Sequence, residues 1–85
     1  MAGRKWVMTP AAQRQFARLD VQLQGRLVSK LDDLANGAPN VDIEKLEGQG
    51  AYRLRVGSYR MVFQIDPEDQ TIIVTKIGDC KDIYR

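Results

Sequence analysis

Apolar and polar residues alternate along the stretch from Tyr52 to Ile65. Its apolar positions are Leu54, Val56, Tyr59, Met61, Phe63 and Ile65. Its polar positions are Arg53, Arg55, Arg60 and Gln64, with Val62 the one apolar member of that series. A period of two over this length predicts two β-strands, and Gly57-Ser58 predicts a two-residue hairpin turn of the II′ kind between them.

This turn fixes the register of the hairpin. Val56 then faces Tyr59, and Arg53 faces Val62. Arg55 faces Arg60, and two like charges directly opposite each other destabilise a sheet. The pair therefore indicates a use for positive charge on that face.

Two amphipathic helices precede the hairpin. Thr9-Pro10 is typical of a helix start, because Thr accepts a hydrogen bond from a free backbone N–H and Pro has none to lose. This helix is predicted to run to about Leu19, and Asp20 predicts the start of a second one that ends at Gly37. The second helix has an apolar stripe formed by Leu23, Leu27, Leu31 and Leu34. The stripe could be a groove for a partner, but it is more typical of a helix that covers a sheet.

Two more strands and a connector complete the predicted fold. The range 4–8 is a short strand candidate, 40–50 is a connector, and 71–77 is a third strand of the meander after the turn at 66–70. The order β-α-α-β-β-β predicts an α+β fold. In it, a helical hairpin packs on one face of a small, mainly antiparallel twisted sheet, and the arginine face is left open.

The position of Lys76 depends on the length of the turn before the last strand. If Ile65 pairs with Thr71, Lys76 lies opposite Arg60 and extends the cations to a row of three across the sheet. A change of one residue in the turn would alter this register, so Lys76 is the weaker member of the set.

Length and composition limit the class of protein. The 85 residues are enough for one domain, spanning 1–85, with a modest core. No apolar stretch is long enough to cross a membrane, and the start lacks the apolar core of a signal peptide. The single cysteine, Cys80, excludes an internal disulfide framework and fits a reducing compartment. We therefore expect a cytoplasmic protein with no membrane partner.

The charged residues favour an anionic partner. The chain has no histidine, which excludes a Ser-His-Asp triad, a two-histidine ribonuclease mechanism and a histidine-ligated metal, and we expect no cofactor. Three arginines share one strand face, and no acid occurs between Gly48 and Ile65. Arginine binds phosphate through its planar fork, so a phosphate backbone is the simplest ligand. The alternative is that these side chains are only solvated, or pair with an acid from elsewhere in the chain.

Motifs across nearly the whole chain are similar to those of one protein family. They are Lys45-Leu46-x-Gly48, Tyr52-Arg53-Leu54-Arg55-Val56, Tyr59-Arg60-Met61-Val62-Phe63 and Ile77-Gly78-x-x-x-x-Ile83-Tyr84. Together with the Thr-Pro helix start and the order of elements, they resemble the RelE toxins of bacterial and archaeal toxin–antitoxin pairs. The resemblance implies a cytoplasmic mRNA interferase that enters the ribosomal A site. It also implies a RelB-like antitoxin that masks the basic face, and operator DNA as a partner only through the antitoxin complex.

The resemblance also implies a mechanism and its residues. The ribose 2′-OH attacks the adjacent phosphate and expels the 5′-oxygen. The catalytic residues carried over by position are Arg53, Arg55, Arg60 and Tyr84, with Arg60 as the strongest stabiliser of the transition state. Further candidates for binding RNA or phosphate are Lys45, Lys76, Lys81 and Arg85.

Two departures from the family pattern leave other functions open. Asp79-Cys80 stands where the family commonly has His or Lys followed by Arg, so a phosphate-facing cation is missing at Cys80 unless Lys81 supplies it. An arginine at 53 is a poor general base, because it stays protonated. The alternatives are a ParE-like inhibitor of DNA gyrase and a weakened relative that only binds its antitoxin. Cys80 itself is either natural or a detoxifying replacement.

Overall fold

A computed structural model of the chain describes residues 4–46 and 50–79. Its elements are β1 (Trp6–Met8), α1 (Pro10–Ala17), α2 (Val21–Ala35), β2 (Asp42–Leu46), β3 (Ala51–Val56), β4 (Tyr59–Ile65) and β5 (Ile72–Asp79). The strands form one sheet in the order β1-β5-β4-β3-β2, in which β1 runs parallel to β5 and the other neighbours are antiparallel. The predicted fold class is therefore confirmed, and the structure adds one edge strand, β2.

Both helices start at the predicted caps. The Thr9 hydroxyl accepts a hydrogen bond from the Ala12 N–H at 3.3 Å, and the Asp20 carboxylate accepts one from the Leu23 N–H at 2.8 Å. Gly37 follows the end of α2 with φ 74°, the left-handed conformation that closes a helix. The helices are joined by residues 18–20 alone, so local sequence determines where each one begins and ends.

One face of the sheet and the apolar stripe of α2 form the core. Its fully buried large side chains are Leu27, Leu31, Leu54, Met61, Phe63, Ile72 and Val74. The first two come from α2 and the others from β3, β4 and β5. The stripe is thus covered by the sheet, as the helix pattern predicted, and the core accounts for the apolar half of the alternation in β3 and β4.

The β3–β4 hairpin has the predicted register. Val56 pairs with Tyr59, Arg55 with Arg60, and Arg53 with Val62. Gly57 has φ 59°, whereas Ser58 is not among the residues with positive φ, as expected for a turn of the II′ kind. The arginines therefore share the sheet face that points away from the helices.

The predicted connector contains a strand. β2 pairs with β3, with Asp42 opposite Arg55 and Glu44 opposite Arg53. Its residues are exposed except for half-buried Leu46, so the segment has no buried face to reveal it as a strand. Extended conformation here comes from pairing with β3, which is a tertiary interaction that propensity does not capture.

The predicted row of Arg55, Arg60 and Lys76 is wrong. Ile65 pairs with Ile72, and a bulge between Val62 and Phe63 shifts the register once more, so that Lys76 lies opposite Val62 and Gly78 lies opposite Arg60. The extra residue of the bulge is Thr75, whose hydroxyl donates to the Val62 carbonyl at 3.3 Å. Two shifts of one residue together leave a side chain on its original sheet face. By register, Lys76 is therefore on the same face as the arginines, but it lies opposite Val62, two residues along β4 from Arg60.

Side chains of both helices also fix the end of the sheet that contains β1 and β5. The Gln15 carboxamide accepts a hydrogen bond from the Ile77 N–H at 2.6 Å, and the Trp6 indole donates to Asp32 at 2.8 Å. Neither helix, within the described ranges, is both long and apolar enough to cross a membrane.

Candidate anion-binding site

The hairpin brings two guanidinium groups to adjacent positions near its turn. Arg55 and Arg60 are directly opposite on β3 and β4, and Arg53 lies two residues earlier on β3. Alternation along a strand sends all three side chains to the same sheet face. Together with Asp42, Ile43 and Glu44 they line a cavity of about 260 Å³.

Arg60 is buried, whereas the sequence predicts an arginine side chain on an open sheet face. Only 8% of the residue is exposed. Its Nη1 donates to the carbonyl of Gly57 at 2.9 Å and to the carbonyl of Tyr59 at 2.8 Å. The hairpin turn directs two carbonyls at this guanidinium, so its position is fixed before any ligand arrives. The rest of the planar group keeps its capacity to donate.

The two other arginines pair with the carboxylates of β2. Arg53 Nη2 lies 2.9 Å from Glu44 Oε1, and Arg55 Nη1 lies 3.6 Å from Asp42 Oδ2. Glu44 and Asp42 are therefore acids from elsewhere in the chain of the kind that the sequence left open as partners of these arginines. The Glu44 and Asp42 side chains are 60% and 61% exposed, so each pair contributes at most about 1 kcal/mol to stability.

The arginines differ strongly in access. The side chain of Arg55 is 56% exposed, whereas that of Arg53 is 12% exposed. The expectation of an open arginine face is therefore correct only for Arg55. A ligand reaching the cavity meets Arg55 first and the held guanidinium of Arg60 behind it.

A second and larger groove continues from Arg55 and Asp42 toward α2. Its volume is about 610 Å³, and both of these residues line it as well as the smaller cavity. The residues that α2 contributes are Gln22, Gly25, Arg26, Ser29 and Lys30, and the facing wall is completed by Asn40, Val56 and Gly57. Arg26 and Lys30 are not among the site residues predicted from the sequence. Their spacing with Gln22 and Ser29, at three and four residues, was the available signal, because such positions share one helix face.

Two of the remaining predicted site residues, Lys45 and Lys76, do not join this cluster. Lys45 pairs with Tyr52 and so has the parity of the sheet face that carries the helices. Lys76 is exposed and lines a different cavity with Arg18 and Asp79. The predictions for Cys80, Lys81, Tyr84 and Arg85, and for a tail that folds back along the sheet, lie outside the described residues.

Within 4–46 and 50–79, no three carboxylate, cysteine or histidine side chains are grouped so that they could hold a metal ion. The chemistry of the described cluster is that of cations held on a rigid sheet. Such a cluster can bind a phosphodiester and stabilise negative charge that develops on it.

Comparison with known proteins gives one family and several solved structures. A family model described as ParE toxin of type II toxin–antitoxin system, parDE, matches residues 7–84. A search of curated proteins gives no match.

Several of the similar structures are RelE toxins. RelE in the RelB–RelE antitoxin–toxin complex from Methanococcus jannaschii superimposes with a TM-score of 0.76 at 22% identity, covering 92% of this chain and 94% of that one. A mutant of the Escherichia coli toxin RelE in the free state gives 0.78 at 24% identity, covering 99% and 92%. The archaeal RelE–RelB complex from Pyrococcus horikoshii gives 0.75 at 24% identity, covering 89% and 93%. At these sequence identities, the comparison shows similarity of fold alone.

Proposed function

Because the chain belongs to the family of ParE toxins of type II toxin–antitoxin systems, we propose that it is a toxin of the RelE kind that cleaves mRNA in the ribosomal A site. The observation that carries the proposal is the arginine cluster of β3 and β4. Two guanidinium groups at opposite register positions repel each other, and a phosphate between them turns that repulsion into attraction. The solved RelE structures have the same fold as this chain, which supports the proposal.

The proposed reaction is a transesterification within the RNA. The 2′-oxygen forms a bond to the adjacent phosphorus, and the bond from phosphorus to the 5′-oxygen breaks. The proton of the 2′-OH leaves to a base, and the expelled 5′-oxygen takes up a proton from an acid or from water. The products are a 2′,3′-cyclic phosphate and a 5′-OH end. Arg55 binds the phosphate on arrival, because its side chain is the most exposed of the three. Arg60 stabilises the charge on the pentacoordinate phosphorus from a position held by two carbonyls.

Arg53 has a supporting part in this proposal. Its guanidinium is paired with Glu44 and is largely covered, so it raises the local potential instead of meeting the ligand directly. It cannot serve as the base, because arginine stays protonated at every physiological pH. We propose Tyr84 for contact with the RNA on the strength of the family resemblance, with Lys81 and Arg85 as further phosphate contacts.

Partners follow from the same proposal. A RelB-like antitoxin would bind the toxin and cover the arginine face, and operator DNA would be reached through that complex. Several of the similar structures are RelB–RelE complexes, which supports an antitoxin partner. Action on ribosomes requires the toxin to be in the cytoplasm.

Inhibition of DNA gyrase is a second candidate function. The matched family model carries the description of a ParE toxin, which favours it. The pairing of Arg53 and Arg55 with carboxylates also suits a surface that binds a protein without chemistry.

The decisive experiment is primer extension on programmed ribosomes, with the purified chain and its Cys80→Arg variant. Cleavage by both supports the proposal and makes Cys80 incidental. Cleavage by Cys80→Arg alone supports a weakened RelE-type toxin and assigns that position to the reaction. Cleavage by neither overturns the proposal, and a supercoiling assay with gyrase then tests the second candidate.

Glu44 is expected to reduce the affinity of the site for RNA. Glu44→Gln removes one carboxylate partner of Arg53 and should strengthen binding of a 2′-O-methyl RNA oligonucleotide by about 3-fold at low salt, with the gain shrinking as salt is raised. Fluorescence anisotropy measures both quantities. Glu68→Gln makes the same change of charge at an exposed position of the β4–β5 turn and is the matched control. Equal effects of the two variants would contradict a specific role of Glu44.

A further inference from the structure

We propose that the groove between α2 and the end of β3 binds the RNA backbone outside the reacting nucleotide. The inference rests on the proposed function and extends its binding surface to a second set of residues. The groove is lined by Arg26, Lys30 and Arg55, against Asp42 as the one acid among the described lining residues. Positively charged grooves that follow the backbone are the general means by which proteins bind single-stranded nucleic acid.

Arg26 links α2 to the hairpin turn. Its Nη2 lies 3.1 Å from the point where a Cβ on Gly57 would stand. On the other side of the same turn, Arg60 donates to the Gly57 carbonyl at 2.9 Å. Guanidinium groups from a helix and from a strand therefore meet at one glycine, and Arg55 lies beside them in the sheet. Positive charge is continuous from the candidate site into the groove.

Gly25 has no explanation in the packing of residues 4–46 and 50–79. It lies in the interior of α2, where glycine costs about 1 kcal/mol of helix stability relative to alanine. A Cβ at this position would meet no described residue within 4 Å, so none of these neighbours requires its absence. Gly25 lines the groove, and the missing side chain leaves room for a ligand to approach the helix closely. A ligand in the groove explains what internal packing does not.

The polar lining fits a phosphodiester. Between the cations stand Gln22, Ser29 and Asn40, which offer hydrogen-bond donors to phosphate and sugar oxygens. Lys30 already donates to the Asn40 carbonyl at 3.3 Å, and this bond holds its ammonium at the groove wall. An RNA strand that enters at Arg55 would thus meet cations and neutral donors in turn along α2.

RNA length is the variable that tests the groove. A trinucleotide reaches the arginine cluster alone, whereas an oligonucleotide of about twelve nucleotides also fills a neighbouring groove. Both are made as 2′-O-methyl RNA, because that change removes the attacking hydroxyl. We expect the longer RNA to bind the unchanged protein at least about tenfold more tightly in fluorescence anisotropy at low salt.

The double variant Arg26→Gln/Lys30→Gln should remove this advantage of length. Its salt slope for the longer RNA should fall by about 1.4, since each lost phosphate contact on a single strand accounts for about 0.7. The matched control is Arg14→Gln/Arg18→Gln, which removes the same charge from exposed positions on α1 and at its C-cap. An advantage of length that is kept in the α2 variant, or lost equally in both variants, overturns the inference.

Gly25→Gln separates the groove from total charge and from folding. Glutamine is a good helix former and its Cβ would meet nothing within 4 Å among the described residues, so the melting temperature should rise by several degrees. Its side chain should fill the groove and lower the affinity for the longer RNA by about tenfold without any change of charge. A variant that is more stable and binds the longer RNA as well as the unchanged protein does would contradict the inference.

Two further results complete the test. If the trinucleotide fails to bind and programmed ribosomes are not cut, the proposed function itself fails; if the trinucleotide binds and length adds nothing, the groove alone is refuted.

Programmed ribosomes with mRNA that ends at the A-site codon separate the two RNA sources. A defect of Gly25→Gln that disappears there assigns the groove to mRNA, and one that persists assigns it to ribosomal RNA. If Gly25→Gln loses binding to a purified antitoxin and keeps binding to RNA, the groove belongs to an acidic polypeptide and the inference is overturned.

Discussion

Arg60→Ala is expected to lower cleavage on programmed ribosomes by about 10³-fold, the range found when a fixed donor to a developing negative charge is removed. Arg60 is 8% exposed and is held by the carbonyls of Gly57 and Tyr59, so it offers a guanidinium whose orientation costs nothing at the moment of reaction. Growth arrest on expression should disappear with the same variant.

Arg60→Lys separates charge from geometry. Lysine retains one positive charge but lacks the planar guanidinium group. In Arg60, Nη1 donates to the turn carbonyls, and the proposed role uses the remaining donors for the ligand. We expect activity at least about tenfold below that of the unchanged protein. Arg18→Ala, at the exposed end of α1, is the control and should cleave normally. Circular dichroism confirms that each variant is folded, and a folded Arg60→Ala protein with near-normal cleavage would refute the proposed role.

Phe63→Ala is expected to remove a large part of the free energy of unfolding. Phe63 is 1% exposed, and its ring stacks on Tyr52 with centroids 5.4 Å apart and an angle of 18° between the planes. Truncation of a buried Phe costs about 3–5 kcal/mol. A domain of this length has a free energy of unfolding of roughly 4–13 kcal/mol, so the loss takes about a quarter of the total or more.

Urea unfolding followed by far-ultraviolet circular dichroism measures this loss. Phe63→Leu keeps an apolar side chain of similar bulk and should lose mainly the ring contact, about 1 kcal/mol. Val21→Ala is the control, because Val21 is 82% exposed and should change the free energy of unfolding by less than about 0.5 kcal/mol. A Phe63→Ala protein as stable as Phe63→Leu would show that the core relaxes around the cavity.

The elements with strong local signals were predictable from sequence. Thr9, Asp20 and Gly37 mark helix ends by their own hydrogen-bonding and backbone preferences, and the structure has the helices between them. The hairpin followed from alternation and from Gly57, since a two-residue turn leaves one register. These features depend on residues close in sequence, which is why one chain suffices to find them.

What escaped prediction depends on contacts between distant segments. β2 is a strand because it pairs with β3, and its residues 42–45 are exposed, so no burial pattern announces it. For the same reason the partners of Arg53 and Arg55 were not assigned. The bulge at Thr75 moves Lys76 by one position. The burial of Arg60 is a local exception, because it depends on how the carbonyls of the adjacent turn point. Arg26 was missed because only the packing of α2 brings it to Gly57.

The charges of β2 have a consequence for the behaviour of the chain in concentrated solution. β2 is the last strand of the sheet, so one row of its backbone groups has no neighbouring strand among the described elements. Asp42, Glu44 and Lys45 put ionised side chains on both sides of that row. A second sheet edge that approached would have to strip water from these charges, which is a common natural defence against edge-to-edge aggregation. The same carboxylates that moderate the arginine site thus keep separate copies of the protein from joining their sheets.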